Sequence, residues 1–307
     1  MDKLIRIGTR ESQLAIWQAR LLQHLLEENG FSSELVYIKS DGDTDLQTPL
    51  YAMGVQGVFT RSLDIALLNG KIDIAVHSMK DVPVQLAKGI IQAAVLERAS
   101  YKDILVYKGD TSFLDDTLSN AIIATSSIRR KAQWLNRYPN HSIEVLRGNV
   151  NTRLRKLEES NWNGAIFAAA GLERINVRPG NTVELDWMLP APAQGAIIIV
   201  CRQEDRFCFD ACEELHDIET GLCVKAERDF LKALLGGCST PISALAEIKE
   251  DTVIFKGSMV APDGSKRAII ETSCPIKEAL DLGTRAAFEI LQKGGQEIAD
   301  SIRHAAK

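Results

Sequence analysis

The chain has 307 residues, a formal net charge of −5, 45% hydrophobic and 25% charged residues. That leaves room for two or three domains with a substantial core, in the ordinary range of a soluble globular protein, and is too acidic for a general nucleic-acid binder. No run of about 18 apolar residues suggests a membrane span, and the opening Met1-Asp2-Lys3-Leu4-Ile5-Arg6 has no apolar signal core, so a cytoplasmic chain with reduced thiols is expected.

Residues 4–7 read as a short strand, followed by the polar turn Gly8-Thr9-Arg10-Glu11-Ser12. Apolar residues at Leu14, Trp17, Leu21, Leu22, Leu25 and Leu26 predict a helix over 13–28, with Ser12 as its N-cap and Gly30 as its stop. Residues 35–38 form the next strand. The acidic turn 40–45 lacks the spacing and closing Glu of a calcium loop and reads as solvated. Gly54-Val55-Gln56-Gly57 predicts a mobile loop, and helical spacing resumes over 58–68.

Ile72-Asp73-Ile74-Ala75-Val76 is an apolar run of the kind that makes a buried parallel strand. It turns polar at His77-Ser78-Met79-Lys80-Asp81 and ends in Pro83, which cannot continue a ladder. His77, Ser78, Lys80 and Asp81 are therefore expected just past a strand's carboxyl end, where open α/β sheets place ligands. A lone Lys-Asp pair in such a place is ordinarily a solvated turn.

Strands are predicted at 90–96, 104–107, 121–124, 143–146 and 165–169, with helices over 128–136 and 152–159. Repeated strand–turn–helix units imply βαβ crossovers and a parallel sheet. Leu189-Pro190-Ala191-Pro192-Ala193-Gln194-Gly195 is a proline-stiffened connector before a strand at 196–201. By fold analogy it returns the chain to the first domain, giving two crossovers and a hinged cleft. After a long helix over 218–235, strands at 244–248, 253–260 and 268–272 form an antiparallel set with a turn at Asp263-Gly264, and a helix closes the chain over 276–292. The division expected is 1–97 with 196–214, then 98–195, then a small α+β domain over 215–307.

Six cysteines, at 201, 208, 212, 223, 238 and 274, fall in the last third. Cys208 and Cys212 have no second ligand pair of zinc-site spacing, so no metal is expected. Arginine recurs where helix electrostatics disfavours it. Arg129 and Arg130 follow Thr125-Ser126-Ser127, Arg153 and Arg155 follow Arg147-Gly148-Asn149, and Arg10 precedes Ser12. Any one of these could splay into solvent. As a set at strand ends they point to a bound polyanion. No GxxxxGK[ST] or GxGxxG follows a strand, which favours carboxylates over a nucleotide.

The motifs Gly8-Thr9-Arg10-Glu11-Ser12, His77-Ser78-Met79-Lys80-Asp81-Val82-Pro83, Thr125-Ser126-Ser127-Ile128-Arg129-Arg130, Leu146-Arg147-Gly148-Asn149-Val150-Asn151-Thr152-Arg153, Ala170-Gly171-Leu172, Gln194-Gly195-Ala196 and Gly236-Gly237-Cys238 run nearly end to end. In this order they resemble the porphobilinogen deaminase (hydroxymethylbilane synthase) family. The resemblance implies two α/β domains like type II periplasmic binding proteins around a cleft, plus a small α+β C-terminal domain. It implies a transferase of tetrapyrrole and haem biosynthesis. Such an enzyme joins four porphobilinogen molecules head to tail on a covalent dipyrromethane, releasing ammonia and hydroxymethylbilane.

By the same resemblance the cofactor is held by a thioether to Cys238; nothing local to the sequence singles out that thiol. Asp81 is the catalytic carboxylate, facing the cation left by ammonia loss and moving protons. Ser78, Lys80, Asp81, Thr125, Ser126, Ser127, Arg129, Arg130, Arg147 and Gly171 contact the cofactor. Arg10, Ser12, Arg153, Arg174 and Gln194 contact substrate. Acetate and propionate groups on each pyrrole account for arginines in an acidic protein.

Porphobilinogen and the growing oligopyrrole are the expected partners, with no nucleic acid, no membrane and a monomeric chain. The family's mobile loop usually reads Gly-Lys-Gly; Val55-Gln56-Gly57 lacks that cation, and Arg61 could substitute. The Pro190–Ala193 connector is also less glycine-rich than the family pattern, which implies a stiffer hinge. The competing class is a two-lobed protein that captures a small anion without chemistry.

Overall fold

The computed structural model describes residues 3–39, 60–116, 118–234 and 241–305. The acidic turn 40–45, the loop carrying Gln56, and Cys238 with Gly236 and Gly237 lie outside the described residues. The chain divides into two compact units. One holds Gly195–Gly221 with the described part of the first 100 residues; the other holds Tyr101–Gln194 and the described residues from Leu222 onward.

In the first unit β1 (Ile5–Thr9), α1 (Gln13–Glu28), β2 (Ser33–Tyr37), α2 (Arg61–Leu68), β3 (Ile74–Ser78) and β4 (Ile90–Val95) are joined, in space, by a strand from the middle of the chain. The second unit begins with β5 (Asp103–Tyr107), β6 (Ile122–Ala124), α3 (Ile128–Arg137), β7 (Ser142–Glu144), α4 (Val150–Glu159), β8 (Gly164–Ala168), α5 (Ala169–Glu173) and β9 (Thr182–Glu184). After the connector, β10 (Ile197–Arg202) enters the first sheet between β3 and β4, antiparallel to both.

The two five-stranded sheets repeat one pattern. Their orders are β2-β1-β3-β10-β4 and β7-β6-β8-β5-β9. In each, three strands pair in parallel, and the strand that follows a crossover, β10 or β5, pairs antiparallel with both its neighbours. The purely parallel sheet expected from strand–helix alternation is thus corrected: alternation reports connection length, whereas β5 and β10 arrive by a different route and run the other way.

α6 (Arg206–Glu213) and α7 (Ile218–Ala233) lead to a third sheet of β11 (Ile242–Lys249), β12 (Thr252–Val260) and β13 (Arg267–Pro275), all antiparallel. One face packs on α7 and α8 (Leu282–Ile290) around Phe230 and Phe255. The single closing helix expected there is in fact α8, a break with left-handed Gly294, and α9 (Gln296–Ala305). The architecture is two mixed α/β sheets and a separate small α+β sheet, as the resemblance implied. No described helix is long and apolar enough to cross a membrane.

The caps explain where the site helices start. Ser12, Ser127 and Asn149 each accept a backbone N–H of the first turn of α1, α3 and α4. Each cap follows the carboxyl end of a strand by a few residues, so turn 10–12 lies at a strand end of the first sheet, and turns 125–127 and 147–149 at strand ends of the second.

Candidate active site

In the first unit the polar turn after β3 is built as the sequence suggests. Ile74, Ala75 and Val76 are buried on both faces, and the chain then tightens into one 3-10 turn, Met79–Asp81. Met79 N–H donates to Ala196 O at 3.0 Å, which ties the turn to the start of β10. Lys80 is half-buried and Asp81 exposed. Asp73, read from the sequence as part of the apolar run, is instead a buried carboxylate below the strand. It accepts from Arg6 Nε at 2.8 Å and Arg202 Nη2 at 3.0 Å, and these guanidinium groups outweigh burial and hold its pKa well below the usual range.

Arg10, Gln18, Thr60, His77, Ser78 and Asp81 line one pocket at the carboxyl end of β3, with Ala15 and Val76. Three of the predicted site residues, Arg10, Ser78 and Asp81, therefore meet. Ser12 does not line it; its Oγ caps α1 by accepting from Ala15 N at 3.4 Å. Gln18, buried on α1, donates from Nε2 to Ser78 Oγ at 2.8 Å. The His77 imidazole is buried, and its Nε2 has no hydrogen-bond partner. Burial, with Arg10 adding to it, pushes its pKa down to about 3, so the ring is neutral at physiological pH. Among the described residues, the charged groups lining this pocket are then Arg10 and Asp81.

The second unit holds the arginines. Thr125 Oγ1 accepts from Ser127 N at 3.2 Å, and Ser126 Oγ donates to Leu146 O at 2.6 Å. Ser127 Oγ accepts from Arg130 N at 3.4 Å and keeps its own O–H for another acceptor. Arg129 and Arg130 do not splay into solvent: both are buried, and both meet one carboxylate, Asp103. Arg129 Nη2 reaches Asp103 Oδ2 at 2.6 Å. Arg130 reaches Oδ1 from Nη2 at 2.7 Å and from Nε at 3.1 Å. Gln194 Nε2 also donates to Asp103 Oδ1 and to Tyr101 O, each at 2.8 Å, so both of its N–H donors are committed. The arginines at the start of α3 thus have a resident anion, which the sequence argument for a ligand did not allow for.

Arg147, buried, and Arg153, half-buried, lie at the turn before α4 and in its first turn; Arg153 Nε donates to Gly148 O at 2.7 Å. Arg155 points elsewhere, exposed and 3.9 Å from Glu159 one turn along. Gly171 lies within α5, and Arg174 caps its end. Burial lowers the Arg174 pKa to about 10, against a smaller raising effect of Glu173.

Sequence reasoning missed Gln18, His77 as a buried neutral group, Asp103 and Glu227. Glu227, fully buried on α7, accepts from Ala193 N at 2.6 Å and Ala246 N at 2.8 Å. A signal was present for it: Cys223, Ala226 and Phe230 mark the buried stripe of α7, and Glu227 falls on it. Asp103 offered only its position against the apolar run Ile104-Leu105-Val106, where a buried carboxylate needs partners.

The five described cysteines are all buried. Burial raises the Cys201 thiol to about 11 and Cys208 to about 12, and pushes Cys212 up as well. Among the described residues no group of three or more His, Cys, Asp or Glu is placed to hold a metal.

Residues 5–210 match the family model "Porphobilinogen deaminase, dipyromethane cofactor binding domain", and residues 221–292 match "Porphobilinogen deaminase, C-terminal domain". A porphobilinogen deaminase from Syntrophotalea carbinolica is 41% identical over 302 residues, covering 97% of this chain and 96% of the relative. Among solved structures, the VFT2 domain of Bordetella pertussis BvgS is similar at 13% identity and a TM-score of 0.44, over 71% of this chain and 89% of that one. An ancestral cationic amino acid solute-binding protein is similar at 15% identity and a TM-score of 0.43, over 69% and 87%. With both family models matched in order and a relative this similar along almost its whole length, the chain belongs to the porphobilinogen deaminase family.

Proposed function

We propose that this chain makes hydroxymethylbilane by joining four porphobilinogen molecules head to tail, with Asp81 as the catalytic carboxylate and the arginines of the second unit as the carboxylate-holding groups. The observation that carries the reading is the family match over 5–210 and 221–292. It disfavours the alternative of anion capture without chemistry.

The residues fit a dipyrromethane. Two guanidinium groups share the single Asp103 carboxylate, which leaves one net positive charge in a desolvated setting. Arg129 Nε is also buried there without a hydrogen-bond partner. Carboxylate side groups suit such donors, since guanidinium pairs with them bidentately. Arg129, Arg130, Arg147 and the hydroxyls of Thr125, Ser126 and Ser127 would hold the group, with Gly171, Ser78 and Lys80. Cys238 would bind it covalently; the five described cysteines are buried, and the three whose titration shifts are poor thiolates. When bound, the dipyrromethane supplies the reactive pyrrole carbon that accepts the first porphobilinogen.

Arg10, Ser12, Arg153, Arg174 and Gln194 are the substrate-side residues. Arg10 offers a guanidinium to a porphobilinogen carboxylate. Gln194 acts through Asp103, because both its N–H donors are already committed. Asp81 closes a turn anchored at Ser78 and Met79. Its carboxylate faces the cation left when porphobilinogen loses ammonia, and takes the proton released at coupling. A neutral His77 adds no positive charge that would oppose that cation.

The chain is read as three domains, 1–97 with 196–214, 98–195 and 215–307. Three sheets with separate cores support that reading. It is also read as a cytoplasmic monomer. Asp81→Asn tests the catalytic assignment: fold and covalent cofactor are retained and nearly all turnover is lost. Near-normal turnover would contradict it.

A further inference from the structure

Asp103 is the first residue of β5, fully buried, and it joins groups from three parts of the second unit. Its Oδ1 takes Arg130 and Gln194, and its Oδ2 takes Arg129. Two further arginine donors are also tied, while Arg129 Nε has no hydrogen-bond partner: Arg129 Nη1 donates to Leu189 O at 2.6 Å and Arg130 Nη1 to Ile166 O at 3.0 Å. Leu189 is held a second time by Gln133, which donates from Nε2 to its carbonyl at 2.9 Å and accepts its N–H at 3.0 Å. So the two guanidinium groups are fixed from both ends, and a single acid sets their separation and planes.

We propose that Asp103 is a positioning residue for the dipyrromethane: by bridging Arg129 and Arg130 it fixes both guanidinium groups and cancels one of their two charges, so that the pair accepts pyrrole carboxylates. This rests on the function proposed above. Two like charges held this close and this dry repel each other strongly without a counter-charge. Replacing the carboxylate with an amide removes that counter-charge and one acceptor. The guanidinium groups then move apart or draw in solvent, and the geometry presented to an incoming carboxylate is lost. Asp103 itself touches neither the reacting carbons nor the proton in transit; it acts through the arginines.

The test is intact mass of purified protein under denaturing conditions, read as the fraction carrying two linked pyrrole units. The parent is loaded. Asp103→Asn, if folded, falls at least fivefold in loaded fraction. Asp103→Glu keeps the charge and preserves the fold, and its loaded fraction lies between the two, with KM for porphobilinogen raised more than kcat is lowered. Glu227→Gln removes a buried carboxylate that accepts from Ala193 N and Ala246 N; it lowers the melting temperature and stays loaded, which separates positioning from general destabilisation. Full loading of folded Asp103→Asn overturns the proposal. If that variant does not fold, parent-level loading and KM in Asp103→Glu overturn it. A parent chain without the two-pyrrole mass would instead overturn the functional reading on which the proposal rests.

Discussion

Gln18 Nε2 on α1 donates to Ser78 Oγ at 2.8 Å, and this bond pins the last residue of β3 one turn before Asp81. A helix buried against the sheet thereby fixes the start of the turn that carries the acid. Gln18→Ala removes the bond and leaves a small void. Turnover is expected to fall by roughly tenfold, since even small misplacement of a catalytic group is costly, with a stability loss of about 1 kcal/mol. Steady-state kinetics beside urea unfolding checks it; an unchanged kcat would show that Ser78 is held without Gln18.

His77 links the fold to pH. Its pKa is about 3 in the folded chain, against about 6.5 when unfolded. Between these values the unfolded chain binds the extra proton, so the stability that neutral His77 allows is complete above about pH 6.5 and is lost progressively as pH falls towards 3. At pH 5 the loss amounts to about 2 kcal/mol. His77→Gln removes this component, so its stability falls less between pH 7 and pH 5 than the parent's. Equal slopes in denaturant titrations at several pH values would contradict the assignment.

Gly195 closes the connector with φ +89°, and a Cβ there would lie 2.6 Å from Ala99 O and 2.8 Å from Ser100 O. Neither carbonyl is the end of a flexible side chain. Gly195→Ala therefore combines left-handed strain with a backbone collision and is expected to destabilise by about 3 kcal/mol. The midpoint of urea unfolding reads this directly. The same connector holds Ala193 at φ +62°, a conformation glycine would take more readily. Its N–H meets Glu227, so a buried acid, rather than glycine, sets its path.

The arginines of α4 separate by exposure. Arg155 is exposed beside Glu159, and Arg155→Ala is expected to leave KM within about twofold and stability within about 0.5 kcal/mol. Arg153 is half-buried at the strand-end turn, with Nε on Gly148 O. Arg153→Ala is expected to raise KM for porphobilinogen about tenfold, the loss of one charge-assisted hydrogen bond. Equal effects of the two changes would show that they lack distinct roles.

Much of the fold was legible where local chemistry decides it. Ser12 caps the helix it was expected to cap, and α1 occupies the residues its apolar spacing marks. β9 was missed because it is three residues long and pairs only with β5, too short to show a period. α6 is eight residues long, too short to show a clear period; Asp205, which accepts from Cys208 N, was its capping signal. α9 was missed because the Gly294-Gly295 pair interrupts the helical spacing, whereas the chain bends there and resumes.

The site was legible as residue types gathered at strand ends. What was not legible was pairing across the chain. Arg129 and Arg130 meet an acid 26 and 27 residues away, and Gln18 meets Ser78 across 60. Such partners are set by tertiary packing and leave no spacing in the sequence. Without Asp103 the two arginines looked like a charge waiting for a ligand; with it, they are a half-neutralised pair carrying one charge in excess.

The most direct measurement of the central claim is the mass of the intact purified chain under denaturing conditions, beside that of Cys238→Ser. The parent is expected to carry the added mass of two linked pyrrole units and to colour with Ehrlich's reagent, and the Cys238→Ser variant to have the mass of its bare sequence and no colour. A parent at bare mass after incubation with porphobilinogen, or a variant that keeps the adduct, would contradict it.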